Sequence, residues 1–237
     1  MTIESSNSVR KTASHLGFWF AILMSVVTTA ALAFAVTTLP MSGPFCQSGC
    51  VTYPYEAVAA FVPHDYIWMY PAIFMAPIFV VLMICIHTYA PDDKKLFSQS
   101  GLAFALIYAA AMSINYFVQI EVMQPSILKG EMEGLALFSQ YNPHGIFIAL
   151  EDLGYLMMSL AFICTAWVFR RGDKLERGIR WLLTASPLLA FAAYIVLSLI
   201  YGKALEYRFE VFIITLNWMT AIIMGVLLSI YFKRAAR

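Results

Sequence analysis

The sequence predicts an all-α membrane protein, a polytopic bundle of six transmembrane helices with both termini in the cytoplasm. Composition is the first reason, because 61% of the 237 residues are hydrophobic and only 12% are charged. A soluble domain carries about 25% charged residues. The mean hydropathy of +0.75 is the second reason. The third is that the apolar residues form runs of about 20, the length an α-helix needs to cross the hydrocarbon core of a bilayer.

Six apolar runs follow one another along the chain, and each is long enough for one span. In order, the predicted spans are 17–39, 66–90, 101–123, 146–169, 181–201 and 210–232. No linker divides them, so residues 17–237 are predicted to form a single domain behind a polar cytoplasmic tail at 1–16. The N-terminal run resembles a cleavable secretory signal, but it stays apolar through Leu39, which favours an uncleaved first span.

The distribution of Lys and Arg predicts the orientation. Three of the fifteen, Lys129, Lys203 and Arg208, fall on the side opposite the termini. The other twelve fall on the side of the termini: Arg10, Lys11, Lys94, Lys95, Arg170, Arg171, Lys174, Arg177, Arg180, Lys233, Arg234 and Arg237. The positive-inside rule then places both termini in the cytoplasm, and we expect an integral protein of the plasma membrane, the inner membrane in a bacterium. A net charge near +1 excludes the basic surface that nucleic acid requires, so the expected partner is the bilayer.

The longest segment between spans is the predicted outer loop at 40–65, which is rich in proline and aromatic residues. This composition is typical of an interfacial segment that folds back onto a bundle. The spacing of Cys46 and Cys50 favours a small disulfide-closed loop in an oxidising compartment. Free thiols are an alternative, and so is a metal site, although His64 supplies only one of the two further ligands that a metal would need.

Helical periodicity gathers polar residues toward the outer ends of four spans, since residues three, four or seven apart share a helix face. The third span carries Tyr108, Asn115, Gln119 and Glu121; the fourth carries Glu151, Asp152, Tyr155 and Ser159, preceded by His144; the fifth carries Tyr194, Ser198 and Tyr201; the sixth carries Glu210 and Asn217. This band predicts an outward-facing polar pocket.

Glu151 and Asp152 are the predicted catalytic pair, because carboxylates within a membrane are costly and normally face a bundle interior or a watery cavity. The alternative is that both lie in the headgroup layer near a helix N-terminus, where the helix dipole favours anions. The predicted ligand-binding residues are Asn115, Gln119, Tyr155 and Asn217, which would orient a ligand, and Glu121, His144 and Glu210, which would form the rim. Asn115 and Asn217 would serve equally well as hydrogen-bonding contacts between helices.

Three functions fit this pattern. The first is binding of a small lipid-like or isoprenoid molecule, with acid/base catalysis on it. The second is an ion- or proton-coupled transporter or channel that uses the same carboxylates, for which a homo-oligomer would enclose the pathway. The third is an accessory subunit of a membrane complex. No motif specifies an enzyme class or a cofactor, and no metal is predicted, although His64 and His144 with a carboxylate would be zinc-type ligands.

Overall fold

The computed structural model describes residues 3–38, 40–170 and 172–236. Within these ranges the protein is all-helical, with seven α-helices and no strand. The helices are α1 (Ile3–Ala35), α2 (Met69–Tyr89), α3 (Lys95–Val118), α4 (Gln124–Lys129), α5 (Ile146–Ala166), α6 (Lys174–Tyr201) and α7 (Tyr207–Ala235). Three residues used in the sequence predictions, Leu39, Arg171 and Arg237, lie outside the described residues.

The six predicted spans correspond to helices in the part of the chain that the structure describes. Six helical stretches are long and apolar enough to cross a membrane: Ser8–Ala35, His64–Tyr89, Asp92–Lys129, Ile146–Ala166, Lys174–Ala204 and Tyr207–Ala235. An α-helix satisfies every backbone hydrogen bond within its own segment, which the bilayer core requires. Most of these stretches are longer than the apolar runs, because a helix continues into polar residues at the interface. The tail predicted at 1–16 is accordingly helical from Ile3 onward.

The third span differs most from its prediction, which ended at residue 123. After α3 the helix continues through one π-helical turn, Gln119–Met123, and into α4. Pro125 has no backbone N–H to donate to the carbonyl of Glu121, so α-helical spacing cannot be kept there. The helix ends at Gly130, whose φ of 74° is the left-handed conformation that glycine adopts at no steric cost.

Both termini lie at the same end of the bundle, because α1 and α7 pack along their length. Ser14 Oγ donates to the carbonyl of Phe232 at 2.9 Å, and Ser25 Oγ donates to the carbonyl of Ile222 at 2.8 Å. We call this the terminal end. The opposite end is covered by two segments, 40–68 and 130–145, which together we call the cap.

Gly225 permits the close contact between α7 and α1. A β-carbon at this position would overlap Ser25 Oγ and the carbonyl oxygen of Ala21. Small residues at helix contacts in membranes allow backbones to approach in this way. We expect Gly225→Val to lower the free energy of unfolding by about 2 kcal/mol, measured by thermal unfolding in detergent.

The matched control is Gly178→Val on α6, where an added β-carbon meets open space. We expect this variant to stay within about 0.5 kcal/mol of the wild type. Equal losses in the two variants would contradict the close approach of α1 and α7.

Candidate functional site

The cap is held to the helix ends by hydrogen bonds between buried groups. Ser42 Oγ donates to the carbonyl of Tyr141 at 2.6 Å, and Tyr141 OH donates to Asp65 Oδ2 at 2.8 Å. Tyr207, at the start of α7, donates its hydroxyl to the carbonyl of Gln140 at 2.9 Å. Burial raises the pKa of Tyr141, so its phenol keeps the proton that it donates to Asp65. These bonds fix the cap over the bundle.

A cross-link within the cap agrees with the disulfide expectation. Cys46 and Cys50 are joined at disulfide-bonding distance, with their Cα atoms 5.9 Å apart. Beside them, the backbone N–H of Val51 donates to the carbonyl of Met41 at 2.7 Å. The disulfide therefore closes the loop that follows Phe45, and Met41 and Phe45 both face the cavity described next.

A cavity of about 320 Å³ lies beneath the cap, between α1, α5 and α7. Its inner wall is made of buried side chains that are mostly aromatic: Trp68, Tyr141, Phe147, Tyr207 and Trp218. Its mouth is lined by exposed side chains from the end of α1, the cap and the start of α7: Val36, Phe45, Val211 and Thr215. Val36 is 72% exposed, so this side of the cavity is open.

A second depression, of about 410 Å³, lies within the cap between residues 53–56 and 132–137. Most of the residues that line it are exposed, including Tyr53 at 70%. It is therefore a surface groove. The cavity beneath the cap, whose inner wall is buried, is the candidate functional site.

Two carboxyl groups, those of Asp65 and Glu210, line the cavity, and none of its described lining residues is Lys, Arg or His. Asp65 is well partnered, since it accepts from Tyr141 and lies 3.0 Å from Nδ1 of His64. Glu210 forms no ion pair with any described residue. The cavity is thus acidic, and Glu210 is its least compensated charge.

Glu151 is fully buried on α5. Its Oε1 accepts from Tyr116, whereas its Oε2 has no hydrogen-bond partner among the described residues. A buried carboxyl oxygen without a donor is costly, so Glu151 favours a proton or another cation beside Oε2.

A chain of hydrogen-bond donors ends at Glu151. Trp218 Nε1 donates to Tyr155 OH at 2.7 Å, and Tyr116 OH donates to Glu151 Oε1 at 2.8 Å. The two phenols are 2.9 Å apart. Since the proton of Tyr116 points to Glu151, Tyr155 must donate to Tyr116. Every donor in this chain therefore leads toward Glu151 Oε1.

The two predicted catalytic residues, Glu151 and Asp152, do not face each other. Glu151 points into the bundle, whereas Asp152 is partly exposed, with its Oδ1 buried and without a described hydrogen-bond partner. Neither of them lines the cavity, whereas Glu210, predicted as a rim residue, does.

Three of the predicted orienting residues connect structural elements. Asn115 Nδ2 donates to the carbonyl of Phe147 at 3.0 Å, and Gln119 Nε2 donates to the carbonyl of Phe138 at 2.7 Å. Asn217 Nδ2 donates to Ser159 Oγ at 3.2 Å, which joins α7 to α5. None of these three lines the cavity. Tyr155, the fourth, reaches the site through the donor chain.

The three predicted rim residues do not lie together. Glu210 lines the cavity, whereas Glu121 is exposed on the π-helical turn. The His144 side chain is 62% exposed and lies 3.9 Å from Glu206, outside the cavity lining. Sequence reasoning did not assign a site role to several residues that build the site: Trp68, Tyr116, Tyr141, Tyr207 and Trp218. The sequence did contain one signal of this site, because Glu210, Ile214 and Trp218 are spaced four residues apart and share one face of α7.

In the described part of the chain, no three His, Cys, Asp or Glu side chains come together as a metal site. Comparison of the chain with protein-family models, with curated proteins and with solved structures gives no match. The functional assignment therefore depends on the geometry of the cavity and of its carboxyl groups.

Proposed function

We propose that this is an integral membrane protein that binds a lipid-like molecule in the cavity beneath the cap, with Glu210 as the carboxyl group that contacts it. The observation that carries this proposal is a cavity with an apolar mouth between two membrane helices and with Glu210 in its lining. Bound lipophilic molecules normally occupy such concave, mostly apolar sites with a few polar groups.

The position of the mouth supports access from the bilayer. Val211 and Thr215 lie in the first nine residues of α7, so at about 1.5 Å per residue they are within about 12 Å of its start. This depth overlaps the hydrocarbon region of a span. A lipid chain would reach the cavity laterally without crossing water. The Lys and Arg distribution favours an outward-facing cap, so the proposed source is the outer leaflet.

The carboxyl groups at this end of the bundle support acid/base chemistry. Glu210 lines the cavity, and Glu151 on the adjacent helix α5 accepts at the end of three donors in series. General acid catalysis needs a positioned donor within hydrogen-bonding reach of the substrate. The reactions that fit are isomerisation, cyclisation or hydrolysis of a lipid-like or isoprenoid molecule.

A proton- or ion-coupled transporter is the second candidate, and one observation favours it. Polar contacts continue from the site toward the terminal end along α7, first between Asn217 and Ser159 and then between Thr220 and Ser186 at 2.8 Å. Polar side chains inside membrane bundles often belong to transport pathways. Uptake of protons or solute into liposomes, lost in Glu210→Gln, would favour this candidate over lipid binding.

Blocking the cavity tests lipid binding. In native mass spectrometry from a mild detergent, we expect the wild type to retain one hydrophobic adduct that survives exchange into a second detergent. Ile214→Trp places a large side chain in the cavity and is expected to lose the adduct. Ile223→Trp makes the same change on a 43% exposed position of α7 outside the cavity and is expected to keep it.

Both variants are first compared with the wild type by thermal unfolding, so that a folding defect is recognised. An adduct that persists in Ile214→Trp, or is lost equally in both variants, would refute a ligand at this cavity. Absence of an adduct from all three proteins, together with absence of binding of added lipids, would refute the proposed function.

A further inference from the structure

The cavity wall carries negative charge. Glu210 and Asp65 line it, and Glu210 forms no ion pair with a described residue. The nearby Arg208 is engaged elsewhere, since its Nη1 lies 3.6 Å from Glu206.

Two further carboxyl oxygens, both on α5, lack a donor. Glu151 Oε2 and Asp152 Oδ1 are buried and have no described hydrogen-bond partner. A buried carboxylate without a partner is among the costliest groups in a protein, and within a membrane more so. This end of the bundle therefore favours a positively charged or proton-bearing occupant.

The residues of the cavity wall indicate which kind of cation fits. Trp68, Phe147, Tyr207 and Trp218 surround it, with the rings of Trp68 and Trp218 5.9 Å apart. Aromatic faces attract organic cations such as quaternary ammonium groups, with tryptophan the most favourable. A hard metal ion prefers a shell of six or more oxygens, and no group of three metal ligands occurs in the described residues. The absence of lining Lys, Arg or His also disfavours a phosphate or carboxylate head group.

We infer that the ligand is a cationic amphiphile, with an amine or quaternary ammonium head group that enters the aromatic cavity next to Glu210 and an apolar chain that stays in the bilayer. This inference rests on the proposed function and specifies its ligand class. Glu210 faces the ammonium group as a carboxylate, and no covalent bond changes on binding.

The test compares four probes by isothermal titration calorimetry on the full protein in a maltoside detergent. Decyltrimethylammonium carries the proposed head group and chain, whereas decanol and decanoate carry the same chain with a neutral or an anionic head. Tetramethylammonium carries the head group alone. We expect decyltrimethylammonium to bind at least about tenfold more tightly than decanol, decanoate not to bind, and tetramethylammonium to bind at least about tenfold more weakly.

The Glu210→Gln variant is a second readout. It should lower the affinity for decyltrimethylammonium to that of decanol, because the cavity loses the carboxylate that faces the ammonium group. Glu206→Gln is the matched control, since Glu206 pairs with Arg208 and does not line the cavity; it should bind the cation as the wild type does.

The outcomes separate the two proposals. Decanol binding as tightly as the cation, or full cation affinity in Glu210→Gln, would overturn the cationic head group and leave lipid binding standing. Tetramethylammonium binding as tightly as decyltrimethylammonium would overturn the amphiphile and indicate a water-soluble cation. If none of the probes binds the wild type more tightly than it binds Ile214→Trp, the proposed function itself fails.

Discussion

Alanine at position 218 is expected to lower the free energy of unfolding by about 3 kcal/mol, the lower part of the range for truncating a buried aromatic residue. Trp218 is fully buried, packs 5.9 Å from the ring of Trp68, and donates Nε1 to Tyr155. Lipid chains are as apolar as the side chain, so transfer from water contributes little here. The loss arises from the void that forms beside the cavity and from the missing hydrogen bond.

Trp181→Ala is the control for this prediction. Trp181 lies on α6 with 68% of its surface exposed, so its truncation removes few contacts, and we expect a loss below about 0.5 kcal/mol. Trp218→Phe keeps an aromatic ring but not the indole N–H, and should cost about 1 kcal/mol. Thermal unfolding followed by circular dichroism measures all three. Equal losses at positions 181 and 218 would show that Trp218 does not support the inner wall.

Glu151 is expected to respond in opposite directions to alanine and to glutamine. Alanine removes the acceptor of the Tyr116 hydroxyl and leaves a void next to Tyr155, so we expect a loss of about 3 kcal/mol. Glutamine keeps the volume and an acceptor for Tyr116, and it has no charge to bury beside the unpartnered Oε2 position. We therefore expect Glu151→Gln to raise the free energy of unfolding of the ligand-free protein by about 1 kcal/mol.

Glu121→Ala and Glu121→Gln are the matched controls, since Glu121 is exposed on the π-helical turn. Both should change the free energy of unfolding by less than about 0.5 kcal/mol. Unfolding in a mild detergent series provides the measurement, with the ligand first removed by detergent exchange. A glutamine variant at 151 that is as unstable as the alanine variant would contradict a burial cost at the Glu151 carboxyl group.

A stabilised but ligand-deficient Glu210 variant would also be informative about the purpose of this carboxyl group. A carboxyl group without a cationic partner destabilises the empty protein, and a bound cation would relieve that cost. Binding sites commonly keep such locally unfavourable arrangements for function. The expected pattern is higher stability together with weaker cation binding, and the experiments above measure both quantities on the same variants.

The spans were predictable because a bilayer imposes one requirement on every segment that crosses it. A run such as 17–35 has nowhere to satisfy its backbone except within its own helix, so composition and length identify it. Helix ends were less predictable. The third span continues to Lys129 because a π-helical turn accommodates Pro125, which a hydropathy pattern alone does not reveal.

The polar band was visible in the sequence, but the role of each member was not. Asn115 and Gln119 have the same depth and residue type that a ligand contact would have, yet they donate to backbone carbonyls of Phe147 and Phe138. The aromatic residues were interpreted as packing and interfacial anchors. Trp68 and Trp218 do pack together, and their positions also form the inner wall of the cavity.

The sequence by itself determined six membrane-spanning helices, a disulfide-compatible spacing in the first long loop and acidic residues near one end of the bundle. Tertiary structure decided which side chains meet. Glu151 and Asp152 are neighbours in the chain, but successive residues on a helix point about 100° apart, so they cannot face each other. Tyr116 reaches Glu151 because α3 and α5 pack side by side. Periodicity fixes a face within one helix, whereas only packing between helices fixes which faces meet.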